Sequence, residues 1–193
     1  MDTKPTTIIN LYGGPGTGKS TSAAYIYFLL KHASSNAELV REYVKDWVWE
    51  GRAIKEYDQI YFLGKQIRRE VILTNKVSHI VTDSPVLLSL YYARLHSKPE
   101  FAKGIETLVR SYYADAESRG VKHFHVFLKR SKPYETAGRY QTLEQAKEID
   151  VGLKALLDET NTPYISSGTE KHDLETVLKF IEPPEFTQPP NCT

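Results

Sequence analysis

The sequence predicts an α/β fold of three layers: a five-stranded parallel sheet, helices on both faces, and a mobile lid. Three observations predict it. Short apolar runs alternate with helix-patterned segments along most of the chain, which implies parallel strands joined by right-handed crossovers. A glycine-rich stretch, Gly13-Gly14-Pro15-Gly16-Thr17-Gly18-Lys19-Ser20, sits between the first strand and the first helix. The 193 residues, 40% hydrophobic and 25% charged, suffice for one full core.

Residues 7–12 form the first apolar run, and residues 21–32 a helix with Ala23, Ala24, Tyr27 and Leu30 along one side. Residues 37–44 read as the second strand, followed by a tryptophan-bearing stretch up to Gly51. From 53 to 74, Ile54, Tyr57, Tyr61, Gly64, Ile67 and Val71 recur at helical spacing, which predicts one long amphipathic helix. Residues 77–83 make the third strand, ending at Asp83-Ser84-Pro85; Pro85 suits a first helical turn, with Ser84 as its N-cap. That helix carries Leu87, Leu88, Leu90, Tyr91 and Leu95.

A further helix over 99–119 turns Phe101, Ile105, Leu108, Val109 and Tyr112 inward and stops at Gly120. Residues 121–129 are the fourth strand, and 130–141 form the polar excursion read as the lid. Thr142 and Gln145 match a capping box that opens a helix bearing Ile149, Leu153, Leu156 and Leu157. Residues 164–166 give the fifth strand and 173–181 the last helix, stopped by Pro183-Pro184. Residues 1–183 thus read as a single domain, and 184–193 as a loose tail.

The glycine-rich stretch fits G-x-x-x-x-G-K-[ST] at every fixed position. A loop between strand and helix turns several backbone N–H groups toward one concave space, and the helix N-terminus adds positive potential. Glycines permit the positive φ angles and the close approach that phosphate needs. Gly13, Gly14, Pro15, Gly16, Thr17, Gly18, Lys19, Ser20 and Thr21 are therefore the candidate nucleotide-binding residues. Lys19 would reach the β- and γ-phosphates of ATP, and the Ser20 hydroxyl would ligate Mg²⁺.

Ligands of such sheets bind beyond the C-terminal strand ends, which singles out the residues found there. Asp83 would hold Mg²⁺ with Ser20 or position the attacking group; an N-cap role is the alternative. Glu42 would act as a general base toward an acceptor hydroxyl, unless Glu38 is the strand-end acid and Glu42 merely pairs with Arg41 or Lys45. In the lid, Arg139 is the first choice for the cation that neutralises charge during transfer, and Arg130 the second. His123 and His125 share a strand face and read as structural.

With the phosphate loop, Glu42, Asp83 and the Arg139 segment in place, the chain resembles the nucleoside and nucleotide kinases of the P-loop superfamily. The small phage and bacterial forms related to deoxynucleoside, nicotinamide riboside and thymidylate kinases come nearest. The resemblance implies a five-stranded parallel sheet with an arginine-rich lid, and a catalytic acid at the second strand, matched by Glu42 in Arg41-Glu42-Tyr43. It also implies an acid ending the third strand, matched by Asp83; Ser84 stands where that pattern carries an arginine.

The expected function is Mg²⁺-ATP-dependent phosphoryl transfer to a small nucleoside or nucleotide. A net charge of +1 disfavours a polymer substrate, so kinase action on a hydroxylated base within DNA is the alternative inside this class. From another class, an ATPase module acting on a protein partner would want a second acid beside Asp83, and Thr82-Asp83-Ser84 offers none. The lone Cys192 and the lack of a signal peptide or membrane span suggest the cytoplasm, and a homodimer fits as well.

Overall fold

The strand before the glycine-rich loop, β1 (Thr7–Tyr12), runs through the centre of the sheet. The computed structural model describes residues 5–131, 133–135 and 140–181. β2 (Ala37–Val40), β3 (His79–Thr82), β4 (Lys122–Leu128) and β5 (Tyr164–Ser167) complete it in the order β2-β3-β1-β4-β5, every pair parallel. A central parallel strand is buried on both faces, and Ile8, Ile9 and Leu11 are fully so.

Alternation along β1 and β4 separates two cores. On one face Ile9, Leu11, Val126 and Leu128 pack against α1 (Lys19–His32) and α7 (Lys171–Ile181). On the other, Tyr12 and Phe127 meet α3 (Asp58–Val71), α4 (Val86–His96), α5 (Pro99–Ser118) and α6 (Leu143–Glu159). Each buried Leu or Ile contributes about 1.5–3 kcal/mol relative to exposure. The capping box of α6 forms as expected, with the Thr142 hydroxyl accepting from the Gln145 N–H. Gly120, at φ 75°, ends α5. No helix among the described residues is long and apolar enough to cross a membrane.

Four local expectations are corrected. β2 stops at Val40 rather than residue 44, because the Glu42 N–H donates to Asp83 Oδ1 at 2.8 Å, away from the ladder. A short helix, α2 (Val44–Trp49), follows where no element was expected. The long helix begins only at Asp58 and turns a different side inward: Gln59, Phe62, Leu63, Gln66 and Glu70 are buried, while Tyr57 and Tyr61 face outward. Buried polar side chains with partners waiting for them defeat a reading that sorts by hydrophobicity. Pro85 takes the N-cap position of α4 without a side-chain cap, and the Ser84 N–H instead donates to Thr82 Oγ1 at 3.1 Å. Residues 184–193 of the expected tail lie outside the described residues.

Candidate active site

The loop after β1 is held open by its glycines. Gly13, Gly16 and Gly18 have φ of 143°, 78° and 92°, a region that side-chain-bearing residues rarely enter. A Cβ at Gly13 would lie 2.6 Å from Thr17 Oγ1, and one at Gly16 would lie 2.8 Å from the Tyr134 ring. Within the loop, the Thr17 hydroxyl donates to Gly14 O at 3.0 Å. Lys19 Nζ bends back over it, donating to Gly13 O at 2.7 Å and Gly14 O at 3.2 Å. α1 starts at Lys19 with no acid in its first turn, so its positive end faces the loop uncompensated. Ser20 and Thr21 are exposed there.

Two carboxylates converge on Lys19. Asp83 is buried just beyond β3, and Glu42 is half-buried just beyond β2. Their tie through the Glu42 N–H sets both near the ammonium, whose charge interacts with each of them. Burial raises the Glu42 carboxyl above its ordinary value, an effect that Lys19 and Lys45 oppose and Asp83 reinforces. Burial likewise lowers Lys19, against the pull of Glu42, Asp83 and Asp150.

The donor set suits Mg²⁺-ATP. Magnesium with a nucleotide needs only one or two protein oxygens, the phosphates and waters supplying the rest. Ser20 and Asp83 carry hard oxygen donors that could serve in that way, beside a loop whose glycines leave room for phosphate. No group of three or more His, Cys, Asp or Glu side chains able to hold a metal occurs among the described residues.

A cavity of about 870 Å³ opens beside Lys19 and Glu42, floored by Phe62, Gln66 and Tyr92. Its lining mixes Lys19, Lys45 and Lys55 with Glu42, Glu56 and Glu135. Beneath the floor lies a hydrogen-bonded chain that the sequence did not reveal. Gln66 Nε2 donates to Glu70 Oε1 at 2.5 Å and to Thr82 Oγ1 at 3.0 Å, and the Tyr112 hydroxyl donates to Glu70 Oε2. Desolvation raises the Glu70 carboxyl to about 7, with the Tyr112 and Gln66 hydrogen bonds restraining the rise. The four-residue spacing of Gln66 and Glu70, in line with Phe62, was the available signal.

On the other side of the loop, Arg130 forms an ion pair with Asp150 of α6 at 2.9 Å and donates to Pro15 O at 2.8 Å. Asp150 Oδ1 also accepts the Gly14 N–H at 2.5 Å. Nothing in the sequence marked Asp150, one residue past the core position Ile149. Tyr140 reaches across to donate to Arg52 O at 2.5 Å. Arg139, first choice among the lid cations, lies outside the described residues. The structure thus brings Lys19, Ser20 and Glu42 into the lining of the cavity, sets Asp83 on the Glu42 N–H, and holds Arg130 between Pro15 of the loop and Asp150 of α6.

Comparison with known proteins agrees with this architecture. The crystal structure of NadR protein in complex with NR superposes with a TM-score of 0.69 at 18% identity, covering 91% of this chain and 51% of that one. NadR in complex with NAD and AMP-PNP gives 0.67 at 16%, covering 91% and 49%. The APS kinase CysC of Mycobacterium tuberculosis in complex with AMPPNP and APS gives 0.51 at 17%, covering 92% and 96%. The chain spans about half the length of the NadR chains it matches, and at these identities the likeness is one of fold. No curated protein matches it. A family model described as AAA domain matches residues 8–174. The chain therefore belongs to this AAA domain family, AAA_28, within the P-loop superfamily whose α/β fold it shares with those kinase-like structures.

Proposed function

We propose that the protein is a Mg²⁺-ATP-dependent kinase that transfers the γ-phosphoryl group to a hydroxyl of a small nucleoside-like acceptor. The observation that carries it is the convergence of Glu42 and Asp83 on Lys19, beside a cavity that Lys19 and Glu42 line and that runs up to the phosphate loop. Phosphoryl transfer asks for positioning and charge stabilisation more than for covalent chemistry. The loop amides and Lys19 hold the triphosphate. Ser20 and Asp83 would hold Mg²⁺, which neutralises phosphate charge when bound. The acceptor oxygen bonds to the γ-phosphorus as the bond to the bridging oxygen breaks, its proton passes to the Glu42 carboxylate, and ADP leaves. Balanced lysines and glutamates around the cavity favour an acceptor that is uncharged overall.

A second reading, transfer to a hydroxylated base in a DNA strand, draws on the cavity's rim. Tyr43 lines the cavity, and its ring lies under Lys65 Nζ at 5.6 Å and the Arg69 guanidinium at 5.0 Å, a mixture of cations and rings that suits a strand.

The test is ADP release from Mg²⁺-ATP with a panel of nucleosides, mononucleotides and short DNA, with the product identified by mass. One acceptor should raise the rate and appear phosphorylated. Lys19→Ala should lower transfer at least about a hundredfold, the scale for losing one charge-stabilising donor. A variant that keeps the wild-type rate, or ADP release indifferent to every acceptor, overturns the kinase assignment.

A further inference from the structure

We propose that Asp150 is a positioning residue of the donor site, holding Arg130 against the phosphate loop and bracing that loop at Gly14. The inference rests on the donor-site reading above. Three segments distant in sequence meet at this one carboxylate. Oδ1 accepts the Gly14 N–H at 2.5 Å, and Oδ2 accepts from Arg130 Nε at 2.9 Å and lies in ion-pair contact with Nη2, also at 2.9 Å. The rest of the guanidinium is occupied nearby, with Nη1 donating to Pro15 O at 2.8 Å and Nη2 to Ala146 O at 3.3 Å.

Packing makes the joint tight. A Cβ at Gly14 would lie 2.5 Å from Ala146 O and 2.8 Å from Asp150 Oδ1, so only glycine lets α6 come this near the loop. Above it, the Arg130 guanidinium sits 5.7 Å from the Tyr134 ring, which in turn covers Gly16. The side chains of Arg130 and Asp150 are only 13% and 18% exposed. Each ion depends on the other, because an unpaired charge in so dry a place is strongly unfavourable.

The consequence is preorganisation. A loop already fixed at Gly14 and Pro15 loses less freedom when phosphate binds, and affinity rises accordingly. Together the pair is neutral, so Asp150 sets the loop's shape without opposing the triphosphate by itself. Asparagine at this position keeps the shape and an acceptor for the Gly14 N–H, but loses the charge that orients the guanidinium.

Calorimetry of Mg²⁺-ATP binding to the full chain tests this directly. Asp150→Asn should bind about tenfold more weakly than wild type, which corresponds to about 1.4 kcal/mol. In ADP release the loss should fall on the KM for ATP, with kcat held within about twofold. Arg130→Lys, which keeps the charge and loses the fork, should weaken binding similarly, and the double variant no further, since the two act as a unit. If Asp150→Asn does not fold, Arg130→Lys carries the test alone. Additive losses, or an Asp150→Asn protein that binds Mg²⁺-ATP as tightly as wild type or more so, overturn this inference and leave the kinase reading standing. A wild-type protein that binds no Mg²⁺-ATP overturns both.

Discussion

The two faces of the sheet follow opposite rules. Toward α1 and α7 the strands present Ile9, Leu11, Val81, Val126 and Leu128, an apolar surface that a helix of small and aliphatic residues covers. Toward α3 through α6 the same strands present Asn10, Tyr12, Thr82, His123 and His125. These are linked by hydrogen bonds such as Tyr12 to His125 Nδ1 at 3.0 Å and Asn10 Nδ2 to His123 Nδ1 at 3.3 Å. Only this second face lies under the cavity. The difference teaches that one face of the sheet is closed mainly by aliphatic packing, and the other keeps a hydrogen-bonded row of polar groups in the core beneath the site.

The largest expected effect comes from breaking the apolar face. Leu11→Ala removes a side chain with no exposure, between α1 and α7. It should cost about 3 kcal/mol, the middle of the range for a leucine cavity. Chemical denaturation between pH 5 and 8 should show the same loss at each pH, since the buried members of that core are all aliphatic. A loss that varies with pH would mean that the two faces are not separate.

The polar face should respond to acid instead. Burial lowers His125 from 6.5 to about 3, with the neighbouring His123 adding to the effect. The unfolded chain therefore takes up a proton that the folded chain refuses, and stability falls as pH drops below 6.5. The slope approaches about 1.4 kcal/mol per pH unit for one such group, or roughly 1–2 kcal/mol between pH 6.5 and 5. His125→Gln should flatten that slope, whatever constant offset the lost ring brings. An unchanged slope would show that His125 does not carry this acid sensitivity.

The same contrast explains what was legible. The phosphate loop could be read because its donors are consecutive residues and its glycines have one reason to be there. The apolar face could be read because alternating aliphatics have one place to go. The acceptor half could not. Gln66 and Glu70 look like solvent-side residues until Tyr112 and Thr82 arrive from elsewhere in the chain. The early end of β2 follows from one hydrogen bond, Glu42 to Asp83, made by residues 41 positions apart. Asp150 has meaning only once α6 lies against Gly14. Local pattern reveals groups whose partners are adjacent or apolar; a polar group whose partner lies far along the chain stays hidden until the fold brings them together.

The smallest expected effect sharpens the comparison most, because it runs the other way within the polar face. Glu70 is raised from 4.5 to about 7 by burial, so here the folded chain holds the extra proton. Its contribution is fully present below pH 4.5 and is lost as pH rises through about 7, a change of sign relative to His125. Between pH 4.5 and 6.5 the two groups pull in opposite directions, and the wild-type curve should look flatter than either alone. Glu70→Gln keeps the shape and removes the titration. It should steepen the acid-side loss caused by the histidines and diminish the decline between pH 6 and 7.5, by roughly 1 kcal/mol over that interval. Were the Glu70→Gln and wild-type curves to run parallel from pH 5 to 8, the acid would have to be ionised in the fold throughout. Gln66 and Tyr112 would then be partners of a buried charge, and the polar face would carry only the acid sensitivity of its histidines.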